Sequence, residues 1–285
     1  MQYSNSIKSI AIGSFDGMHI AHQALIARAE AVVVIERNGG YLTPGYKRAC
    51  FTDRPCFFYH FEKIRGLTPE AFVAKLQEDF PKLEKIVVGY DFAFGKGKSA
   101  DANRLRALFD GEVEIVEEVK YEGISVHSRV IKEYLKEGDI LMANAMLGRE
   151  YLIEGRVMRG QGIGSRELVP TLNLKIEGYQ LPLEGVYATR TRVEGKWYDS
   201  VSFIGHRVST DSSYAVETHL LDSSIEAPLG EVGIAFVTFL RENRKFETLE
   251  ALKKQINRDI VQAKEELGIR NFSDNILKGY GFAGR

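Results

Sequence analysis

A chain of 285 residues is long for one hydrophobic core and comfortable for two domains of ordinary size. With 38 basic against 39 acidic residues the net charge is -1, so no general field draws the chain to nucleic acid or an anionic membrane, and any phosphate recognition has to be local. Nothing reads as a transmembrane span. The start, MQYSNSIKSI, lacks the basic opening and long apolar core of a signal peptide, so a cytoplasmic protein is expected. Cys50 and Cys56 form neither a CxxC redox pair nor a zinc pattern, and free thiols are expected.

The first predicted element is a buried strand over Ile7 to Ile12. It runs into Gly13-Ser-Phe-Asp-Gly-Met-His-Ile-Ala-His22 and then a helix with Leu25, Ile26 and Ala29 at helical spacing. A strand, a glycine turn and a helix start make a phosphate site in α/β proteins, because backbone N–H groups and the positive helix end converge there. His19 and His22, three apart, fall on one helical face, where both imidazoles can donate to one anionic group. A helix-capping histidine plus a core histidine is the plainer alternative.

Further strands are predicted over Val32–Ile35, Cys56–Tyr59 and Lys85–Gly89, with a helix near 69–79 opened by Thr68 as N-cap and Pro69 at its first position. This alternation argues for a parallel sheet covered by helices, an α/β first half. Gly97-Lys98-Ser99 ends like a P-loop but has Phe92 where the first glycine is required. The segment GYDFAFG, 89–95, offers a carboxylate, Asp91, at a strand's end beside two aromatics, which suits a pocket for a flat ring; a packed turn with a capping aspartate is the alternative.

Two short helices split at Gly138 are predicted over 130–148, with Asp139 as an N-cap and Gly148 as a stop. Beyond Tyr151 six β-rich segments follow, over 153–158, 172–176, 186–193, 197–204, 214–222 and 232–240, with turn signals such as Glu194-Gly195. They suggest a closed antiparallel β-barrel, and a domain boundary near 149–152, dividing the chain into 1–150 and 151–285. A last helix, about 249–267, has one apolar stripe that packs on the barrel. Gly160, Gly162 and Gly164 miss the dinucleotide fingerprint, since the third spacing is wrong.

These motifs carry a resemblance. GSFDGMHIAH is similar to the GxFDGxHxGH signature of nucleotidyltransferases in the form found in prokaryotic bifunctional riboflavin kinase/FAD synthetases, with Ala21 in place of the second glycine of HxGH. GYDFAFG is similar to that family's GxDFxFG, and His127-Ser128-Arg129-Val130-Ile131-Lys132 stands, more weakly, where its SSTxIR falls. In the second half, residues 155–174 resemble the riboflavin kinase segment ending in PTANL, followed in family order by LPLEGVYA, ETHLLD and FLRENRKF. The family's NxGxRPT appears as FIGHRVS, 203–209.

The resemblance implies a Rossmann-like nucleotidyltransferase domain and a six-stranded riboflavin kinase barrel with a C-terminal helix. It implies that ATP phosphorylates riboflavin to FMN, and that FMN is then adenylylated to FAD with release of pyrophosphate. His19 and His22 would stabilise the adenylyl transition state, and Gly13, Phe15, Asp16, Gly17, Ser128 and Lys132 would hold nucleotide phosphates. Asp91 and Phe92, with Arg241 of the second half, would line flavin or nucleotide pockets. Thr171 and Asn173 would bind Mg²⁺ and phosphate beside Gly160, and Glu217 would be the base for the riboflavin 5′-hydroxyl. A salt bridge from Glu217 to Arg241 or another barrel cation is the alternative. His206 and His219 read as structural. A riboflavin kinase with an impaired transferase half and a non-catalytic flavin-binding regulator stay open as other readings. Expected partners are small molecules only, with no nucleic acid or membrane.

Overall fold

The computed structural model describes residues 6–37, 41–158, 169–208, 212–221 and 230–269. They form two compact units, one ending at Ser128 and one beginning at Arg129. In the first, β1 (Ser9–Gly13), β2 (Ala31–Glu36), β3 (Cys56–His60), β4 (Lys85–Gly89) and β7 (Glu112–Val116) build a parallel sheet in the order β3-β2-β1-β4-β7. Two small hairpins, β5 (Ala93–Phe94) with β6 (Ala100–Asp101) and β8 (Lys120–Tyr121) with β9 (Ile124–Ser125), lie outside it.

The sheet is covered on both faces because successive strand residues point to opposite sides. Ile10, Ile12, Val33, Ile86 and Val88 pack with Phe72 and Leu76 of α3 (Pro69–Asp79) and Leu105 of α4 (Ala102–Leu108). Ala11, Val32, Val34 and Val87 pack on the other face with Leu25 and Ile26 of α1 (Ile20–Ile26). A four-residue α2 (Phe61–Ile64) follows β3. Thr68 Oγ1 accepts from Ala71 N at 3.2 Å, the cap that its position before Pro69 predicts.

This order puts the topological switch between β1 and β4, since the chain leaves β1 toward β2 and β3 and later returns to β1's other side. Ligands bind beyond the carboxyl ends of strands at such a point. Both of the first half's strongest motifs start there, GSFDGMH at the end of β1 and GYDFAFG at the end of β4.

The second unit opens with α5 (Ser128–Glu137), whose first residue still belongs to the first unit, and α6 (Ile140–Leu147), which Asp139 caps by accepting from Met142 N at 3.0 Å. Asn144 ties α6 to the strands, donating to Phe236 O at 2.8 Å and accepting from Tyr151 N at 2.7 Å. Strands β10 (Tyr151–Met158), β11 (Leu172–Ile176), β12 (Gly185–Val193), β13 (Lys196–His206), β14 (Tyr214–Leu220) and β15 (Glu231–Glu242) close into an antiparallel barrel in the order β10-β11-β14-β13-β12-β15. Glu194 and Gly195 have φ of +49° and +82°, the two left-handed residues that a two-residue hairpin needs between β12 and β13. The last helix, α7 (Leu249–Ile269), lays Ala263 and Leu267 on Ala188 and Val237 of the barrel wall.

The barrel interior is partly polar. Thr189, Thr191, Ser200, Ser202 and Thr218 are all fully buried and bond to one another at 2.7–2.9 Å, so each buried hydroxyl has a partner. The parallel sheet, the barrel and the final helix are those the sequence pattern predicts; β7 and α4 are additions to it.

Candidate active sites

The turn after β1 is built from strained backbone. Phe15, Gly17 and Met18 have φ of +51°, +86° and +46°, a conformation that glycine takes freely and larger residues adopt only where their surroundings hold them. Phe15 and Met18 are held by complete burial, and Met18 N donates to Phe15 O at 3.1 Å to close the turn. Sequence placed Gly17 in a glycine turn; the two non-glycine left-handed residues are a finding of the structure.

The turn delivers His19 to the N-cap of α1, where its Nδ1 accepts from His22 N at 3.4 Å. The two imidazoles stack with centroids 3.5 Å apart and planes 18° apart, and Phe15 sets its ring edge-on to His22 at 5.1 Å. The three-residue spacing therefore does bring the rings together. His19 is also a capping residue, so the plainer alternative describes part of its role.

Asp16 braces the turn. Its carboxylate accepts from the backbone N–H of Leu42, at 2.8 Å, and of Thr43, at 3.1 Å, which pins the segment after β2 to the turn. Its backbone oxygen accepts from Ser128 Oγ at 2.7 Å, joining the third motif of the first half to the first across 112 positions of sequence. Gly13 ends β1 at this turn, and Lys132 lies one helical turn beyond Ser128 in α5.

In the GYDFAFG segment the aromatics fit the packed-turn alternative. Phe92 stacks on Phe94 at 5.5 Å, Phe94 is buried beside Phe72, and both belong to the core over α3 and α4. Asp91 is exposed, with Oδ2 4.0 Å from His127 Nδ1, while Tyr90 OH lies 3.0 Å from His127 Nε2 and donates to Glu118 at 3.1 Å. Arg48 was invisible to motif reading. It is fully buried, paired with Glu36 at the end of β2, and its guanidinium lies 4.7 Å over the Tyr41 ring, so it fixes the segment that Asp16 also holds.

In the barrel, Asn173 is the second residue of β11, and Thr171 immediately precedes that strand. Asn173 stands opposite Glu217 in the β11–β14 register. Thr218, the next residue, points into the buried hydroxyl network, which leaves half-buried Glu217 on the outer wall. Its cation is Arg207. Arg207 Nε donates to Glu217 Oε1 at 2.8 Å, and Nη2 donates both to that oxygen and to Asn173 Oδ1. Nη1 donates to Ser213 Oγ at 2.9 Å.

Arg241, the expected partner or pocket residue, is committed elsewhere. It forks onto Asp259 at 2.9 and 2.7 Å, joining β15 to α7, so in the alternative reading of Glu217 as a salt-bridge partner the cation is Arg207 and not Arg241. Arg207 could have been found in the sequence, because in FIGHRVS it keeps the arginine of NxGxRPT. His206 bonds to Glu184 at 3.0 Å and His219 to Pro170 O at 2.8 Å, the second anchoring the residue before Thr171. Gly160 lies outside the described residues.

The Thr171 hydroxyl, the Asn173 amide oxygen and the Glu217 carboxylate are hard donors of the kind Mg²⁺ takes, and few enough that phosphate and water oxygens would complete its shell. Among the described residues no group of three or more His, Cys, Asp or Glu side chains forms a metal cage. No helix among them is long and apolar enough to cross a membrane.

Two family models and several known proteins match this chain. The riboflavin kinase family model matches residues 147–267, and the FAD synthetase model matches 50–130. The bifunctional riboflavin kinase/FMN adenylyltransferase of Pseudomonas fluorescens is 30% identical over 282 residues, spanning 89% of this chain and 91% of the relative. The protein of that name from Listeria monocytogenes is 29% identical over 289 residues, spanning 90% and 92%. The crystal structure of a macrolide-efflux protein from Streptococcus pneumoniae superposes with a TM-score of 0.79 over 93% of this chain and 97% of that one; at 23% identity the likeness shows the fold alone.

Proposed function

Because the chain belongs to the bifunctional riboflavin kinase/FMN adenylyltransferase family, we propose that its two activities divide between residues 151–285, the kinase, and residues 1–150, the adenylyltransferase. The enzyme uses ATP to phosphorylate riboflavin to FMN and to adenylylate FMN to FAD. The kinase match starting at 147 supports the division. Neither a decayed transferase half nor a non-catalytic regulator is favoured, since both family models match.

The observation that carries the kinase assignment is the register of Asn173 against Glu217 on the outer wall of the barrel. Glu217 accepts the proton of the riboflavin 5′-hydroxyl as its oxygen bonds to the γ-phosphorus and ADP leaves. Thr171 and Asn173 orient the phosphates and hold Mg²⁺, which when bound offsets the charge on the transferring group. In the first unit an FMN phosphate oxygen attacks the α-phosphorus of ATP and pyrophosphate leaves. His19 and His22 donate to the oxygens on which charge grows, with Gly13, Phe15, Gly17 and Ser128 around the phosphates. Asp16 acts by holding the turn against Leu42 and Thr43. Asp91 stays a candidate for a ribose or base contact, and a cytoplasmic location completes the reading. Incubating the protein with riboflavin, ATP and Mg²⁺ and separating the flavins tests it: FAD is expected, and FMN as the end product, with added FMN left unconverted, would remove the second activity.

A further inference from the structure

Two oxygens that the proposed kinase chemistry uses, Glu217 Oε1 and Asn173 Oδ1, are bound to a single side chain. They lie on neighbouring strands in register, and one guanidinium nitrogen, Arg207 Nη2, donates to both while Nε adds a second bond to Glu217 at 2.8 Å. A planar fork can span two oxygens in this way, and a lysine ammonium at the end of a flexible stem matches that geometry less well. The position between a carboxylate and an amide oxygen is also where a divalent cation would sit. A full positive charge already there competes with it for the same lone pairs and repels it at a few Å in a half-buried setting.

We infer that Arg207 is a resident cation of the kinase site, a positioning residue that holds Glu217 and Asn173 together and must leave their oxygens for the metal to enter. The inference rests on the assignment of Asn173 and Glu217 made above. Two further bonds tie Arg207 to its own turn: Nη1 donates to exposed Ser213 at 2.9 Å, and its backbone N–H donates to Ser213 O at 2.9 Å. The phosphates that arrive with the metal supply the anion that offsets the released guanidinium. Metal without nucleotide therefore binds weakly, and metal with nucleotide binds well.

The test uses Mn²⁺ as the probe on the full chain, with free ion counted from the electron paramagnetic resonance signal of the hydrated metal. Arg207→Gln is expected to bind Mn²⁺ about tenfold more tightly than the parent in the absence of nucleotide, the factor that losing one charge-assisted bond implies. The gain disappears when Asn173→Ala is added, and half-saturating Mg²⁺ for FMN formation falls in Arg207→Gln. Arg207→Lys, which keeps the charge without the fork, gains part of the effect and serves if the glutamine variant misfolds, as judged by circular dichroism and denaturant unfolding of the barrel unit. Equal Mn²⁺ affinity in parent and variants, or a gain that survives Asn173→Ala, overturns the inference. Full Mg²⁺-dependent kinase turnover in Asn173→Ala alone would instead overturn the site assignment beneath it.

Discussion

The two candidate sites are held in opposite ways. The adenylyltransferase turn is set by main chain: three left-handed residues in a four-residue stretch, locked by buried Phe15 and Met18, with Asp16 clamping backbone on one side and Ser128 on the other. The kinase site is set by side chains on a regular sheet, where strand register puts Asn173 opposite Glu217 and a single arginine joins them. A strained turn is specified by many residues acting together, so it reads as a contiguous motif. A site on a barrel wall takes one residue from each of several strands, so its members are scattered along the sequence.

Substitutions can break this contrast in order of size. Glu217→Gln removes the proton acceptor without changing shape and is expected to slow FMN formation by roughly 10²- to 10⁴-fold, while conversion of added FMN to FAD stays at the parent rate. Normal kinase turnover would take the base role from Glu217. His22→Ala is expected to lower FAD formation from FMN by about 10²-fold and leave the kinase untouched, as measured by separate assays of the two steps. An unchanged adenylylation rate would make the histidine pair a capping and packing feature only.

The backbone-built site also depends on its distant clamp. Arg48→Met leaves the Glu36 carboxylate beside the Tyr41 ring without its cation, and about 3 kcal/mol of the first unit's stability should be lost, read from denaturant unfolding. The barrel unit has a pH signature of its own. Burial pushes the Glu150 carboxyl up to about 7 against the pull of Arg190, with Asp199 adding to the rise. A folded-state value above the unfolded one means that the folded chain holds the proton more tightly, so the stabilisation is full at low pH and is lost as pH rises through 7. Roughly 1 kcal/mol should disappear between pH 6 and pH 8, and Glu150→Gln should flatten that slope. Smallest of all is Ala21→Gly. If the methyl group crowds a phosphate, the glycine variant gains ATP affinity; an unchanged rate and affinity would show that the turn tolerates alanine.

The legibility of each region follows from the same contrast. Alternating apolar segments, Thr68 before Pro69 and Glu194-Gly195 each encode a local rule, and the sheet, α3 and the β12–β13 hairpin appear where those rules put them. GSFDGMHIAH was readable because its turn and its histidines are adjacent in sequence. Arg48 and Glu36 were not, since a buried ion pair leaves no spacing signal. Arg241 misled for a related reason: its partner Asp259 lies 18 residues away on a helix, and nothing local distinguishes that pairing from one with Glu217. Sequence leaves Phe92 and Phe94 open between a pocket and a packed turn, because an aromatic pair at a strand end packs a core or a ligand with the same residues. The hydroxyl network inside the barrel was hidden as well, because threonine and serine at alternate positions read as a solvent face until the barrel closes around them.

The measurement that tests the account most directly is a complementation experiment. Glu217→Gln and His22→Ala are each incubated alone, and then together, with riboflavin, ATP and Mg²⁺, and the flavins are separated by chromatography. Two independent sites on one chain predict that, within the time the parent needs for full conversion, riboflavin stays largely unconverted with the first variant, FMN accumulates with the second, and FAD forms at a substantial rate only in the mixture. FAD formed from riboflavin at the parent rate by either variant alone, or no gain in FAD from the mixture, would contradict the division of the two reactions between these residues.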